Sequence, residues 1–153
     1  MTKTTSLALD QKDLDTILVI DFGSQYTQLI ARRVRELDVF SEILPWDISP
    51  EKIKDLNPAG IILSGGPESV TVSNTPRIPE IAFDLDVPIL GICYGMQTLA
   101  EQFGGQVTSS KAKEFGHAKI VIEETSVLFE GFSSGSSIDV WMSHGDHVST
   151  LPD

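Results

Sequence analysis

The sequence predicts an α/β fold, a three-layer sandwich around an open and mostly parallel sheet. Two observations predict it. Short apolar runs alternate with helix-like stretches four times in the first two thirds of the chain, the pattern of parallel strands with helices on both faces. Three of those runs pass directly into a glycine loop, "DFGSQ", "SGGPES" and "CYG". In a parallel sheet all three loops emerge at the carboxyl edge, where such folds bind ligands.

Each element has its own local signal. "TILVID", Thr16 to Asp21, is short, β-branched and bounded by Gly23, so it reads as a buried strand. Tyr26, Leu29, Ile30, Val34 and Leu37 then recur at helical spacing, with Ser24 as the expected N-cap and Arg32, Arg33 and Arg35 as solvated residues. "FSEIL", Phe40 to Leu44, reads as a second strand. "SPEKIKDL" opens a helix with Ser49 as cap and Pro50 in the first helical position. Gly60 to Leu63 is a third strand, "PEIAFDLD" a short helix and "PILGI" a fourth strand. "YGMQTLAEQF" is the helix after Cys93, closed by Gly104. The last third changes character. "AKIVIEE" and "IDVWM" read as further strands, separated by the loop "EGFSSGSS", and His117 is expected in an exposed loop.

Composition narrows the function. The chain has 153 residues, 41% of them apolar, which suits one soluble globular domain with a sizeable core. No apolar run approaches the ~18 residues of a membrane span. Residues 1–15 read as a short flexible leader, and residues 16–153 as the folded part. With 11 basic and 22 acidic residues the net charge is −11. That disfavours nucleic acid and anionic membranes, which need a basic footprint. The single cysteine and the absence of zinc-type Cys/His spacing imply a reduced, cytoplasmic setting and no metal.

Cys93 carries the chemistry. "GICYG" has the form G-x-C-x-G, a nucleophile elbow in which a sharp strand-to-helix turn projects the reactive side chain. A lone free cysteine more often fills space in a core; the position between a strand and a helix favours the nucleophile. A cysteine that opens a helix meets the positive end of the macrodipole, which favours thiolate. The N–H of Tyr94 is then aimed at a developing oxyanion, and the glycines of "SGGPES" let a second backbone N–H approach. Gln97, one turn after Cys93, faces the same way.

Together "GICYGMQ", "SGGPES", "LVIDFGSQYTQLIARRVREL" and "VWMSHGDHV" closely resemble the class-I glutamine amidotransferases, the triad-type glutaminases, from about Ile17 onward. The resemblance implies a flavodoxin-like fold, C-terminally incomplete here. "DFGSQ" and "SHGD" argue against other α/β proteins with the same elbow, the protease-like and deglycase-like relatives. It implies that Cys93 attacks the amide carbon of glutamine, releases ammonia and forms a thioester that water cleaves. It assigns the oxyanion hole to the N–H groups of Gly66 and Tyr94. It assigns glutamine binding to Gly65, Gln97, Ser143, His144, Gly145 and Asp146. Within the family, the "DFGSQ" stretch resembles the branch whose ammonia passes to an ATP-pyrophosphatase synthetase domain, in the same chain or a separate subunit. There ATP and Mg²⁺ activate xanthosine monophosphate, so this chain needs no cofactor of its own.

Two departures from the family pattern matter. Asp38 stands where the family usually places glycine after the first helix, a left-handed position that Asp tolerates second best. The family's base and orienting acid lie in an "FHPE" segment, which is absent from this sequence. The chain is therefore expected to be the N-terminal piece of a longer enzyme, inactive or weak alone and marginally stable or aggregation-prone. The alternative is a non-catalytic relic that binds glutamine or docks a synthetase. His117, His144 and His147 are not expected to replace the base.

Overall fold

A computed structural model describes residues 15–152; the leader expected at 1–15 therefore lies almost wholly outside the described residues. The elements are β1 (Thr16–Asp21), α1 (Thr27–Arg35), β2 (Phe40–Pro45), α2 (Pro50–Leu56), β3 (Gly60–Leu63), α3 (Ile81–Asp84), β4 (Ile89–Gly91), α4 (Tyr94–Gln102), β5 (Gln106–Val121) and β6 (Ser137–Thr150). They fall into two compact units, one of residues up to 107 together with those from 148, the other of residues 108–147.

The first unit holds a four-stranded sheet in the order β2-β1-β3-β4. All its pairings are parallel, with Ile20 opposite Leu63 and Leu63 opposite Gly91. β1 is central, which explains its unbroken apolar run: Leu18, Val19 and Ile20 are completely buried. Right-handed crossovers put α1 on one face and α2 with α3 on the other, and α2 packs on α3 as this requires. The core joins Leu18, Ile20, Ile61 and Leu63 of the sheet to Ile53 of α2 and Ala82 of α3. The α/β prediction of a parallel sheet is thus met.

Local signals explain most boundaries. Ser49 caps α2 by accepting from the Lys52 N–H at 3.3 Å, and Pro50 takes the first helical position. Gly104, at φ +89°, ends α4 and donates to the Glu101 carbonyl at 3.0 Å. Asp38 adopts the left-handed conformation expected of it, at φ 59°.

The start of α1 differs from expectation. Ser24 does not cap the helix; its hydroxyl accepts from the Tyr26 N–H at 3.0 Å, closing a turn that delays the helix to Thr27. The buried face differs too. Tyr26 and Leu29 are exposed and Leu37 is 77% exposed, whereas Thr27 and Ala31 are buried. The cause is a polar seat. The Thr27 hydroxyl donates to the Asp21 carboxylate at 2.7 Å, and the Ala31 carbonyl accepts from the Ser41 hydroxyl at 2.9 Å. Small residues at the contact let α1 approach the sheet closely, which turns the larger apolar residues outward.

In the second unit β5 and β6 form a two-stranded hairpin much longer than the two short strands expected. Cross-strand bonds pair Thr108 with His147 at 3.2 Å and His117 with Asp139 at 2.8 Å, an antiparallel arrangement. His117 is therefore on a strand, not in a loop, though it is solvent-exposed as expected.

Candidate active site

The loops after β1, β3 and β4 meet beyond the carboxyl edge of the sheet. They lie where the strand order reverses, since the chain passes from β1 outward to β2 and returns to β3; such switch points are the usual ligand crevice of open α/β sheets. A methyl group built on Gly65 would sit 3.6 Å from Cys93 Cβ and 3.5 Å from the Ser24 hydroxyl. Three segments far apart in sequence thus converge on one point.

Cys93 is the N-cap of α4 and its thiol is free and exposed. Its backbone is strained, at φ 52° and ψ −113°, a conformation that non-glycine residues rarely adopt. Strain of this kind costs about 1–3 kcal/mol and persists where the surroundings enforce it, typically at functional sites. The surroundings here are explicit. A Cβ on Gly91 would fall 2.6 Å from Met96 Cα, and one on Gly95 would fall 2.5 Å from the Leu63 carbonyl oxygen. The Ile92 N–H donates to the Leu63 carbonyl and the Gly95 N–H to the Ser64 carbonyl, both at 3.0 Å. Glycine at 91 and 95 is a condition of that tight turn. A residue that fills core space would be buried; Cys93 is projected outward.

Tyr94 and Gly66, the residues to which the resemblance gives the oxyanion hole, stand at the elbow and on the glycine loop. Tyr94 opens α4, so its N–H belongs to the first turn, where amides have no acceptor within the helix. Its side chain anchors the elbow. The ring packs on Phe22 with centroids 5.3 Å apart, and the hydroxyl donates to the Pro76 carbonyl at 2.6 Å. Burial raises the phenol pKa above its ordinary value. Gly66 is pressed against the first loop: a Cβ there would meet the Phe22 carbonyl oxygen at 2.6 Å. Gln97 is buried, not solvated, one turn below Cys93, whose carbonyl accepts its N–H at 3.0 Å.

Ser143, His144, Gly145 and Asp146 lie within the extended strand β6, in the second unit. The same unit has a cavity of about 460 Å³ lined by Thr125, Val127, Phe129 and Phe132, and none of the candidate residues lines it. Among the described residues, no group of three or more His, Cys, Asp and Glu is placed to hold a metal ion.

Sequence reasoning misses several residues around the elbow. Ser24 reads only as a helix cap, and Ser64 only as the first residue of the glycine loop. The strap that holds the 67–79 loop to α4 has no counterpart in the sequence pattern: Arg77 pairs with Glu101, and the Gln102 amide bonds both backbone groups of Ile78, at 2.8 and 3.1 Å. A glutamine near the end of an amphipathic helix carries no signal that it bridges to a loop.

Residues 18–153 match the family model of the class-I glutamine amidotransferases. The chain belongs to that family. Amidotransferase relatives named "GMP synthase [glutamine-hydrolyzing]" share 57% identity over 143 residues in Colwellia psychrerythraea and 54% in Photorhabdus laumondii. In each case the match covers 90% of this chain and 27% of the relative, so the chain spans about a quarter of their length. A solved GMP synthase subunit structure from Thermoplasma acidophilum superposes with a TM-score of 0.70 at 34% identity, covering 92% of this chain and 69% of that one. The PurLQS structure from Thermotoga maritima has a TM-score of 0.67 at 18% identity over 92% of this chain and 71% of that one, a likeness of fold alone. No described helix is long and apolar enough to cross a membrane.

Proposed function

We propose that this chain is the glutaminase part of a GMP synthase, working in the cytoplasm and supplying ammonia for purine nucleotide synthesis. The observation that carries the reading is the strained, exposed Cys93 beside the Gly65–Gly66 peptide. The Cys93 thiolate attacks the side-chain amide carbon of glutamine, and the carbonyl π electrons move onto oxygen. The Gly66 and Tyr94 N–H groups hold that oxyanion in a preorganised hole. Collapse expels the amide nitrogen, which leaves as ammonia after taking a proton, and a γ-glutamyl thioester remains. Water then attacks the thioester carbon, releasing glutamate and restoring the thiol. Gly65 and Gln97 contact the substrate beside Cys93.

None of Ser24, Gly65, Gly66, Tyr94 and Gln97 is suited to act as the general base at neutral pH. That role falls to another segment, and a positioned base contributes ~10²–10⁴-fold. The ammonia passes to a synthetase part, in cis or as a separate subunit, where ATP and Mg²⁺ serve the activation of xanthosine monophosphate. Relatives more than three times as long as the chain, each named for a glutamine-hydrolysing synthase, support this division.

The test is glutamate and ammonia release from glutamine by the chain, alone and with a synthetase partner. Hydrolysis that falls to background in Cys93→Ala is expected. Saturable glutamine binding with no hydrolysis under either condition would instead establish the non-catalytic binding relic.

A further inference from the structure

Ser64 is completely buried, directly before the two glycines of the oxyanion loop. Its hydroxyl makes two bonds. It accepts from the Phe22 N–H at 3.0 Å and donates to the Gly65 carbonyl oxygen at 2.9 Å. Its backbone is equally occupied, donating to the Ile20 carbonyl and accepting from the Gly95 N–H, both at 3.0 Å. One small residue therefore touches the end of β1, the glycine loop and the elbow helix.

The bond to the Gly65 oxygen has a directional consequence. That oxygen and the Gly66 N–H belong to one peptide plane. In a trans peptide the C=O and N–H point in opposite directions, and no cis peptide is present among the described residues. Anchoring the oxygen thus sets the direction of the N–H. The peptide needs such an anchor, because its flanking residues are both glycine and no Cβ opposes its rotation. In the glutaminase reading the Gly66 N–H serves the oxyanion, and were the peptide to turn over, a carbonyl oxygen would take the place of that donor.

We infer that the Ser64 hydroxyl is a positioning group for the Gly66 oxyanion donor, holding the Gly65–Gly66 peptide in its productive orientation. The inference rests on the glutaminase reading for its kinetic consequence, but its structural half can be read without turnover. Losing one oxyanion donor costs ~10²–10³-fold in kcat. Ser64→Ala only frees the donor to turn, so kcat is expected to fall at least ~10-fold with KM unchanged.

The experiment compares wild type, Ser64→Ala, Ser64→Thr and Ser64→Cys in the full chain. Three readouts are taken: glutamine turnover, alkylation of Cys93 by iodoacetamide, and the orientation of the Gly65 peptide in crystal structures. Ser64→Ala should lower kcat, leave alkylation within about twofold because that reaction forms no oxyanion, and show the Gly65 carbonyl turned or in two orientations. Ser64→Thr, which keeps the hydroxyl, should restore both turnover and orientation. Ser64→Cys, close in volume with a weak donor, should lie between and serves if Ser64→Ala does not fold. Parallel loss of turnover and alkylation would mean a merely structural role and overturn the inference. So would a single, unaltered peptide orientation in the Ala or Cys variant. If wild type shows no turnover either alone or with a synthetase partner, the glutaminase reading fails by itself, and the peptide orientation alone decides this one.

Discussion

Two sets of glycines, one from each unit, are used differently. In the first unit Gly66, Gly91 and Gly95 are places where another chain segment passes too close for any side chain, with backbone atoms at 2.5–2.8 Å from where a Cβ would stand. In the second unit Gly116, Gly131 and Gly135 have open space around them, and all three have positive φ. The first set serves proximity and the second serves backbone conformation. Only the first set assembles a site, since it lets three loops converge on Cys93. A glycine count or a glycine-rich string does not separate the two uses; the neighbours do.

Substitution separates them by size and location of effect. The largest is expected for Gly95→Ala. The added methyl meets the Leu63 backbone, and nothing flexible can give way, so the cost is about 3 kcal/mol or more. Chemical denaturation should show that loss, with Cys93 alkylation altered as the elbow shifts. A variant as stable as wild type with unchanged alkylation would break the distinction. Next comes Gly131→Ala, where only φ +89° opposes the methyl. A loss of about 1–2 kcal/mol is expected, seen as faster hydrogen exchange of the β5–β6 amides with the β1 amides unaffected. The smallest effect has the opposite sign. Asp38 already sits at φ 59° on the surface, so Asp38→Gly should relieve strain and raise the free energy of unfolding by roughly 0.5 kcal/mol. A loss of stability there would show that the Asp side chain compensates for its backbone.

The legible part of this molecule is the part whose residues act locally or repeat. β1 and β3 announce themselves because central parallel strands are buried on both faces. Ser49–Pro50 announces α2 because cap and first turn are set within four residues. The elbow is visible because G-x-C-x-G compresses a tertiary requirement into five positions. What escapes is long-range or polar. Thr27 and Ala31 replace Tyr26 and Leu29 on the buried face because an Asp21 carboxylate, six residues back, seats the helix. β5 begins at Gln106, well before "AKIVIEE", because a hairpin ladder is held by backbone bonds that polar residues make as well as apolar ones. Ser64 gives no sign, since its importance lies in two bonds to atoms that only the folded sheet brings near. Leu90 of the edge strand β4 and Ile92 just after it are 41% and 36% exposed.

The separation in sequence of the three converging loops also governs when the site exists. Ser24, Gly65 and Cys93 are joined only through the register of β1 with β3 and of β3 with β4. Such non-local pairings are slow to form, because chain closure must precede the contacts that reward it. A newly made or partly unfolded chain therefore carries an ordinary thiol, on a backbone free to relax out of its strained turn. The elbow geometry exists only once β3 has paired with both β1 and β4.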